Sequence, residues 1–155
     1  MYDRNYGKCR GEIMSFYQND VEEFMNIGGQ EYPCSQGCHL YEDPKENDDQ
    51  VQLYMDLITE EYNETLEAYR NGDIVELADG LADMVWVIMG MASSLDIDFE
   101  DVWEEVKRSN MSKFVDGVAI RNPKTGKIMK PDTFSEPDLA RVLGIQICNA
   151  SVSGV

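Results

Sequence analysis

Two long stretches with a helical hydrophobic rhythm are joined only by Arg70-Asn71-Gly72-Asp73, and this link constrains the fold more than any other feature. A connection so short makes the helices on either side antiparallel neighbours. Asn71 and Gly72 suit the C-terminal cap of the first helix, and Asp73 can cap the second. The first is expected from Asp48 or Asp49 to Arg70, with Val51, Met55, Ile58, Tyr62, Leu66 and Tyr69 along its apolar stripe. The second runs through Val75, Ala78, Leu81, Ala82, Val85, Trp86, Ile88 and Met89 to about Ser94. After Asp83 it is apolar nearly all round, so it is expected to be the most buried element.

The same two helices are crowded with acids. Between Ile58 and Asp83 stand Glu60, Glu61, Glu64, Glu67, Asp73, Glu76, Asp79 and Asp83 against a single cation, Arg70. Glu60, Glu61 and Glu64 share one helical face, and Glu76, Asp79 and Asp83 share a face of the next helix. Antiparallel packing lets the two acidic faces oppose each other. Like charges at such spacing cost roughly a few tenths of a kcal/mol per pair. Carboxylates partly buried against Leu57, Ala78 and Leu81 would cost far more. A hard divalent cation offsets that cost, since Mg²⁺ or Mn²⁺ prefers oxygen ligands and bundle helices can hold inward carboxylates. Two plainer readings compete. Charge runs ordinarily solvate a helix face, which suits Glu60 and Glu67, and Asp73-x-x-Glu76 fits an N-terminal capping box. Asp79 and Asp83 favour the cation, because they stand among Ala78, Leu81, Ala82 and Met84, where an unpaired charge is costly.

A chain of 155 residues is expected to form a single domain with a real core. Its 13 Lys+Arg against 30 Asp+Glu give a formal charge of −17. That balance argues against nucleic acid as a groove-bound ligand, which needs clustered cations. It suits solubility, a metal cation, or mimicry of a polyanion. The longest apolar run, "MVWVIMGMA", falls short of bilayer length, so no membrane partner is expected. No secretory h-region is visible at "MYDRNYGKCRG", and the expected compartment is the cytoplasm, where Cys9, Cys34, Cys38 and Cys148 would be free thiols. "CSQGCH" places Cys34, Cys38 and His39 close together, but the spacing does not match a zinc knuckle, and a loop with incidental thiols is the better reading.

Outside the central hairpin, Glu12 to Asn26 shows a helical stripe of Met14, Tyr17, Val21, Phe24 and Met25, followed by a long Gly- and Pro-containing loop. Asp98 is expected to cap a fourth helix, "FEDVWEEVKRSNMSKF", whose pattern breaks near Asp116–Gly117. "GVAIRNPKTGKIMK" reads as two extended runs around Asn122–Gly126, and Leu139–Ile147 as a short helix or a frayed tail. The fold class is therefore all-α: an antiparallel bundle of four main helices, with the acid-bearing helices at about 48–94 and a C-terminal hairpin or extended arm at about 115–155. "DIDFEDVWEEVK" opens like an EF-hand loop, but Asp101 occupies the turn-glycine position and Lys107 that of the bidentate Glu, so a calcium module is excluded.

Glu60, Glu61 and Glu64 in "EEYNE", followed across the helix–turn–helix by Glu76 and Asp79 in "ELAD", resemble the E-E-x-x-E and E-x-x-D motifs of the MazG-like all-α nucleoside triphosphate pyrophosphohydrolases. "VKRSNMSK" and "GKIMKP" are similar to the phosphoribosyl-ATP-pyrophosphohydrolase-like branch found in phage and bacteria. The likeness covers Val51 to about Asp138, with Lys107 where that branch often has His and Asp83 as a further acid in register.

The resemblance implies conversion of a (d)NTP and water to (d)NMP and pyrophosphate, with attack at the α-phosphorus. It implies Mg²⁺, with Mn²⁺ as a substitute, held by Glu61, Glu64, Glu76 and Asp79. Asp83 would be an additional ligand or orienter, and Glu60 would be a base or partner for the attacking water. Arg108, Asn110 and Lys113 become candidates for phosphate or ribose, although the two cations equally complement the helix dipole. Lys127 and Lys130 are weaker candidates, and Trp86, Tyr54 or Tyr17 could stack on a base if they are not core. A homodimer or homotetramer is implied as well, consistent with the apolar circumference of the third helix. The rival reading is a non-enzymatic acidic helical protein, such as a nucleic-acid mimic. A mimic spreads its carboxylates over the outer surface; an enzyme makes them converge between helices.

Overall fold

The computed structural model describes residues 16–30 and 48–145. Helix α1 spans Phe16–Ile27, α2 Asp48–Asn71, α3 Ile74–Ser94 and α4 Phe99–Met111. Strands β1 (Phe114–Val115) and β2 (Val118–Ala119) follow, and then a one-turn helix α5 at Leu139–Val142. The expected all-α class with four main helices is what the chain adopts. The backbone divides into two compact units, residues 1–99 and 100–155. The expected helix before Phe16, the Cys34–Cys38–His39 loop and the tail beyond Ile145 lie outside the described residues.

In the first unit, α2 and α3 form the antiparallel hairpin that the short link demands. Gly72, at φ 71°, takes the left-handed conformation that ends α2. Its N–H donates to Tyr69 O at 3.2 Å and that of Asp73 to Ala68 O at 3.0 Å, a Schellman ending. Asp73 then caps α3, its Oδ1 accepting from the N–H groups of Val75 (3.1 Å) and Glu76 (3.2 Å). The capping-box reading of Glu76 is only half met. The Asp73 N–H that a box would pair with Glu76 is already held by Ala68.

The faces these helices bury differ from the expected stripes. On α2 the packing face is Tyr54, Ile58, Glu61, Thr65 and Ala68, whereas Met55, Tyr62 and Tyr69 are exposed. The α3 seam is marked by two close passes, Gly80 against Thr65 and Gly90 against the Tyr54 ring. Among the described residues α3 carries more buried positions than any other helix, as expected, most of them in its C-terminal half, yet Val85 (43%), Trp86 (39%) and Ile88 (36%) still face outward.

On α1, Val21 and Met25 enter the core with Tyr54, Val87 and Met89, while Tyr17 and Phe24 do not. The residue buried beside them is Gln18, fully enclosed. Its Nε2 donates to Ile97 O (2.9 Å) and Ser93 Oγ (3.2 Å), and its Oε1 accepts from Phe99 N–H (3.1 Å). A buried amide is tolerated because its donors and acceptor are matched. It pins α1 to the C-terminal end of α3 and the residues that follow it, up to Phe99.

In the second unit, β1 and β2 pair antiparallel around Asp116–Gly117, both at positive φ, as a two-residue hairpin requires. The break in the α4 pattern is thus the hairpin turn. The Asn122–Gly126 loop closes with a single bridge, Arg121 to Ile128. The arm after it is tied to α4 through Glu105. That buried carboxylate accepts from Arg108 Nε (2.9 Å) and Nη2 (2.8 Å) and from Asp138 N–H (2.7 Å).

Candidate active site

The α2–α3 hairpin fixes where the acids stand. Glu61 is on the packing face of α2 and half-buried, whereas Glu60, Glu64, Glu76, Asp79 and Asp83 are exposed. Asp79 and Asp83 were expected to be partly buried. They are exposed because Ala78, Leu81 and Ala82 around them are themselves uncovered in this chain.

The electrostatics single out one residue. Burial pushes the Glu61 carboxyl above the ordinary 4.5, and the charges of Asp83, Glu64, Glu60 and Asp79 push it the same way. Asp83, the largest of these charge effects, reaches Glu61 from the neighbouring helix, so acids from both helices act on one point. The seam register agrees: with Thr65 against Gly80 and Tyr54 against Gly90, Glu61 lies across from Asp83, while Glu64 and Asp79 directly precede the two residues of the first pass. The same register puts Glu76 opposite Ala68, nearer the link, and Glu76 is absent from the groups acting on Glu61. Among the described residues no ion pair engages any of these acids.

As placed, no three His, Cys, Asp or Glu side chains among the described residues close around a point where a metal could sit. The chemistry of the donor set nevertheless fits a hard divalent cation. All donors are carboxylate oxygens, they come from two helices packed in fixed register, and they repel one another with no cation between them. Exposed side chains change rotamer readily, so the backbone positions carry the fit.

The basic candidates belong to the second unit. Arg108, proposed from sequence for phosphate, is engaged by Glu105 and also donates to Ser135 Oγ (3.0 Å) and Glu136 O (2.9 Å). Lys113 Nζ lies 2.6 Å from Asn110 Oδ1. Lys130 pairs with Glu136 at 2.7 Å and sits 4.3 Å over the Phe134 ring, and Lys127 is exposed. A surface depression in this unit is lined by Asp101, Glu104, Glu105, Arg108, Arg141 and Val142. None of the hairpin acids lines it, and its buried carboxylate is already matched, so it is weaker as a site than the hairpin. Of the aromatic candidates, Tyr54 is core, Tyr17 is exposed, and Trp86 packs edge-on against Phe24 at 5.5 Å.

Sequence reasoning missed Thr65 and Gly80 at the seam, and Glu105 as the anchor of the arm. A glycine inside a helical pattern was the available signal for Gly80.

Residues 38–110 match the family model of phosphoribosyl-ATP pyrophosphohydrolase. The matched span takes in both hairpin helices with Glu60 through Asp83, and reaches Arg108 and Asn110 but not Lys113, Lys127 or Lys130. Over that span the chain is similar to pyrophosphohydrolases, as its two acidic motifs indicate. The match supports, in broad terms, a hydrolase acting on a phosphoanhydride bond of a nucleotide. Comparison with curated proteins gives no match.

Proposed function

We propose that the protein is a Mg²⁺-dependent nucleoside triphosphate pyrophosphohydrolase, converting a (d)NTP and water to (d)NMP and pyrophosphate. The observation that carries this reading is Glu61: a half-buried carboxylate on a packing face, facing like charges from two helices. Such an arrangement costs stability, and an inward-facing acid among acids has a use when a cation is to be held.

In this reading Glu61, Glu64, Glu76 and Asp79 hold the metal, with Asp83 as a further ligand or orienter. When bound, Mg²⁺ neutralises phosphate oxygens, lowers the pKa of a water and stabilises the pyrophosphate leaving group. Glu60 orients the attacking water and takes its proton. The carboxylates repel a triphosphate that arrives without metal, which makes activity strictly cation-dependent. Phosphate contact from the protein falls to Lys113, Lys127 or Lys130, and Asn110 suits the ribose. Arg108 serves only if its fork exchanges Glu105 for the ligand.

The outward apolar row of Val85, Trp86 and Ile88 suits association of identical chains into a homodimer or homotetramer. The mimic reading draws on the exposure of Glu60, Glu64, Asp79 and Asp83. It does not account for a half-buried Glu61, which no partner's surface could reach as well as an exposed residue.

The test is product identification with a panel of nucleotides and Mg²⁺. Pyrophosphate and a monophosphate are expected from at least one nucleotide, with Mn²⁺ able to replace Mg²⁺ and Glu64→Gln inactive. Orthophosphate as the direct product, or full activity in Glu64→Gln, overturns the mechanism.

A further inference from the structure

The two helices that carry the acids make one of their two tight glycine passes beside them. A Cβ added at Gly80 would lie 2.5 Å from Thr65 Oγ1 and 3.3 Å from Thr65 Cα. The second distance is to backbone, so a side chain at position 80 cannot be accommodated by a rotamer change alone. The Thr65 hydroxyl is itself buried with no hydrogen-bond partner, the sole such side-chain atom among the described residues. Packing density, not hydrogen bonding, holds it there. Thr65 follows Glu64 directly and stands one helical turn after Glu61. Gly80 follows Asp79 directly and stands three residues before Asp83.

We infer that Gly80, closing against Thr65, is a positioning residue that sets the spacing between the carboxylates of α2 and α3, and so the affinity for the cation they share. The inference rests on the proposed metal site and adds what makes two helices act as one ligand set. Mg²⁺ and Mn²⁺ bind oxygens at about 2.0–2.2 Å, and Mg²⁺ holds to near-ideal octahedral geometry. Parting the helices by several tenths of an ångström at Gly80 displaces the acids of α3 from those of α2 by a comparable amount. Ligands on one helix keep their mutual spacing, whereas pairs across the seam, Glu61 with Asp83 and Glu61 with Asp79, lose it. Catalysis is not needed to see this, because binding of the bare ion reports it.

The experiment measures Mn²⁺ binding by electron paramagnetic resonance and folding by circular dichroism in wild type, Gly80→Ala, Thr65→Ala and the double variant Thr65→Ala/Gly80→Ala. Gly80→Ala is expected to stay helical and bind Mn²⁺ at least about tenfold more weakly, the scale on which losing a group that orients metal ligands acts. The double variant removes the 2.5 Å overlap with the hydroxyl and keeps the 3.3 Å approach to the Cα of residue 65, so it is expected to bind more tightly than Gly80→Ala and to recover part of the affinity. A purely structural role would lower the melting temperature and leave the affinity of the folded molecules unchanged. Folded Gly80→Ala with wild-type affinity, or a folded double variant no tighter than the single, overturns the inference. If Gly80→Ala does not fold, the double variant decides: folded with part of the wild-type affinity supports the spacing role. Folded without binding, or unfolded as well, refutes it. Failure of the wild type to bind Mn²⁺ is a different result, and it removes the metal site together with its spacer.

Discussion

Replacing Glu61 with Gln keeps the side chain's size and removes one charge from the most crowded point of the hairpin. In the metal-free protein this substitution should stabilise. Glu64 is three residues away on the same helix, and such like-charged pairs cost about 0.2–0.5 kcal/mol. Glu60, Asp79 and Asp83 add to this, and water screens each of these exposed partners. The four together therefore come to roughly 1 kcal/mol, which for a chain of this size raises the melting temperature by about 2–4 °C. The sign follows from linkage. A carboxyl raised above 4.5 in the folded state holds its proton longer there than in the unfolded chain, so its contribution to stability is lost as pH rises through the folded value. Gln lacks that loss, and the gain is fullest at neutral pH and above. Melting curves followed by circular dichroism with a chelator at pH 8 and low salt should show it. In about 1 M salt, where the Debye length is near 3 Å, it should nearly vanish. Added Mg²⁺ should reverse the order. An ion at about a hundredfold over its dissociation constant stabilises wild type by roughly 2.7 kcal/mol, and the variant should receive less and release no pyrophosphate. A variant less stable than wild type in chelator at low salt, or one that keeps Mg²⁺-dependent turnover, would refute the reasoning.

Gln18→Leu should leave Ile97 C=O and Phe99 N–H unmatched in a partly buried corner, at a cost of about 2–4 kcal/mol read from urea unfolding. An unchanged midpoint would show that water replaces the amide. Asp73→Ala removes the cap of α3 and should cost about 1 kcal/mol of stability, whereas Asp73→Asn should cost less. Glu105 is held at about 2 by the hydrogen bonds from Arg108 and from the Asp138 N–H, against an ordinary 4.5. Its contribution is complete above pH 4.5 and is lost as pH falls towards 2. Fluorescence of Trp103 in a Trp86→Phe background should report that loss, and Glu105→Gln should lack this acid transition.

The elements were legible in the sequence to a greater degree than their orientations. The link Arg70–Asp73 carries its own capping chemistry, so both helix ends near it could be placed from local signals alone. The face of α2 could not. Met55, Tyr62 and Tyr69 form an apolar row as regular as the one that packs, and periodicity cannot say which of two rows meets the neighbouring helix. The choice was made by Gly80 and Gly90, whose missing side chains let Thr65 and Tyr54 approach, a matter of shape between elements distant in sequence. Gln18 was passed over for a similar reason. A polar residue is placed in a core only where partners exist, and those at Ser93, Ile97 and Phe99 lie more than 70 residues on. The acids of the candidate site were legible as a set, because their density between Ile58 and Asp83 is local. Their division was not: nothing in the spacing sets Glu61 apart from Glu60, yet only Glu61 turns inward.

That inward turn bears on function more strongly than the charge total does. A hairpin selected for stability alone would place apolar residues at both 61 and 65, the positions that continue the row from Tyr54 and Ile58 to Ala68. This chain has a carboxylate at one and a threonine whose hydroxyl finds no partner at the other. Both unfavourable choices fall on consecutive turns of one face, opposite Asp79, Gly80 and Asp83. Violations of packing logic that cluster in this way mark functional sites, because selection for chemistry is what retains them against selection for stability. A net charge of −17 could be spread anywhere on a soluble protein. Misfit at the seam between two rigid helices is confined to one place, and it coincides with the acids that the pyrophosphohydrolase match spans.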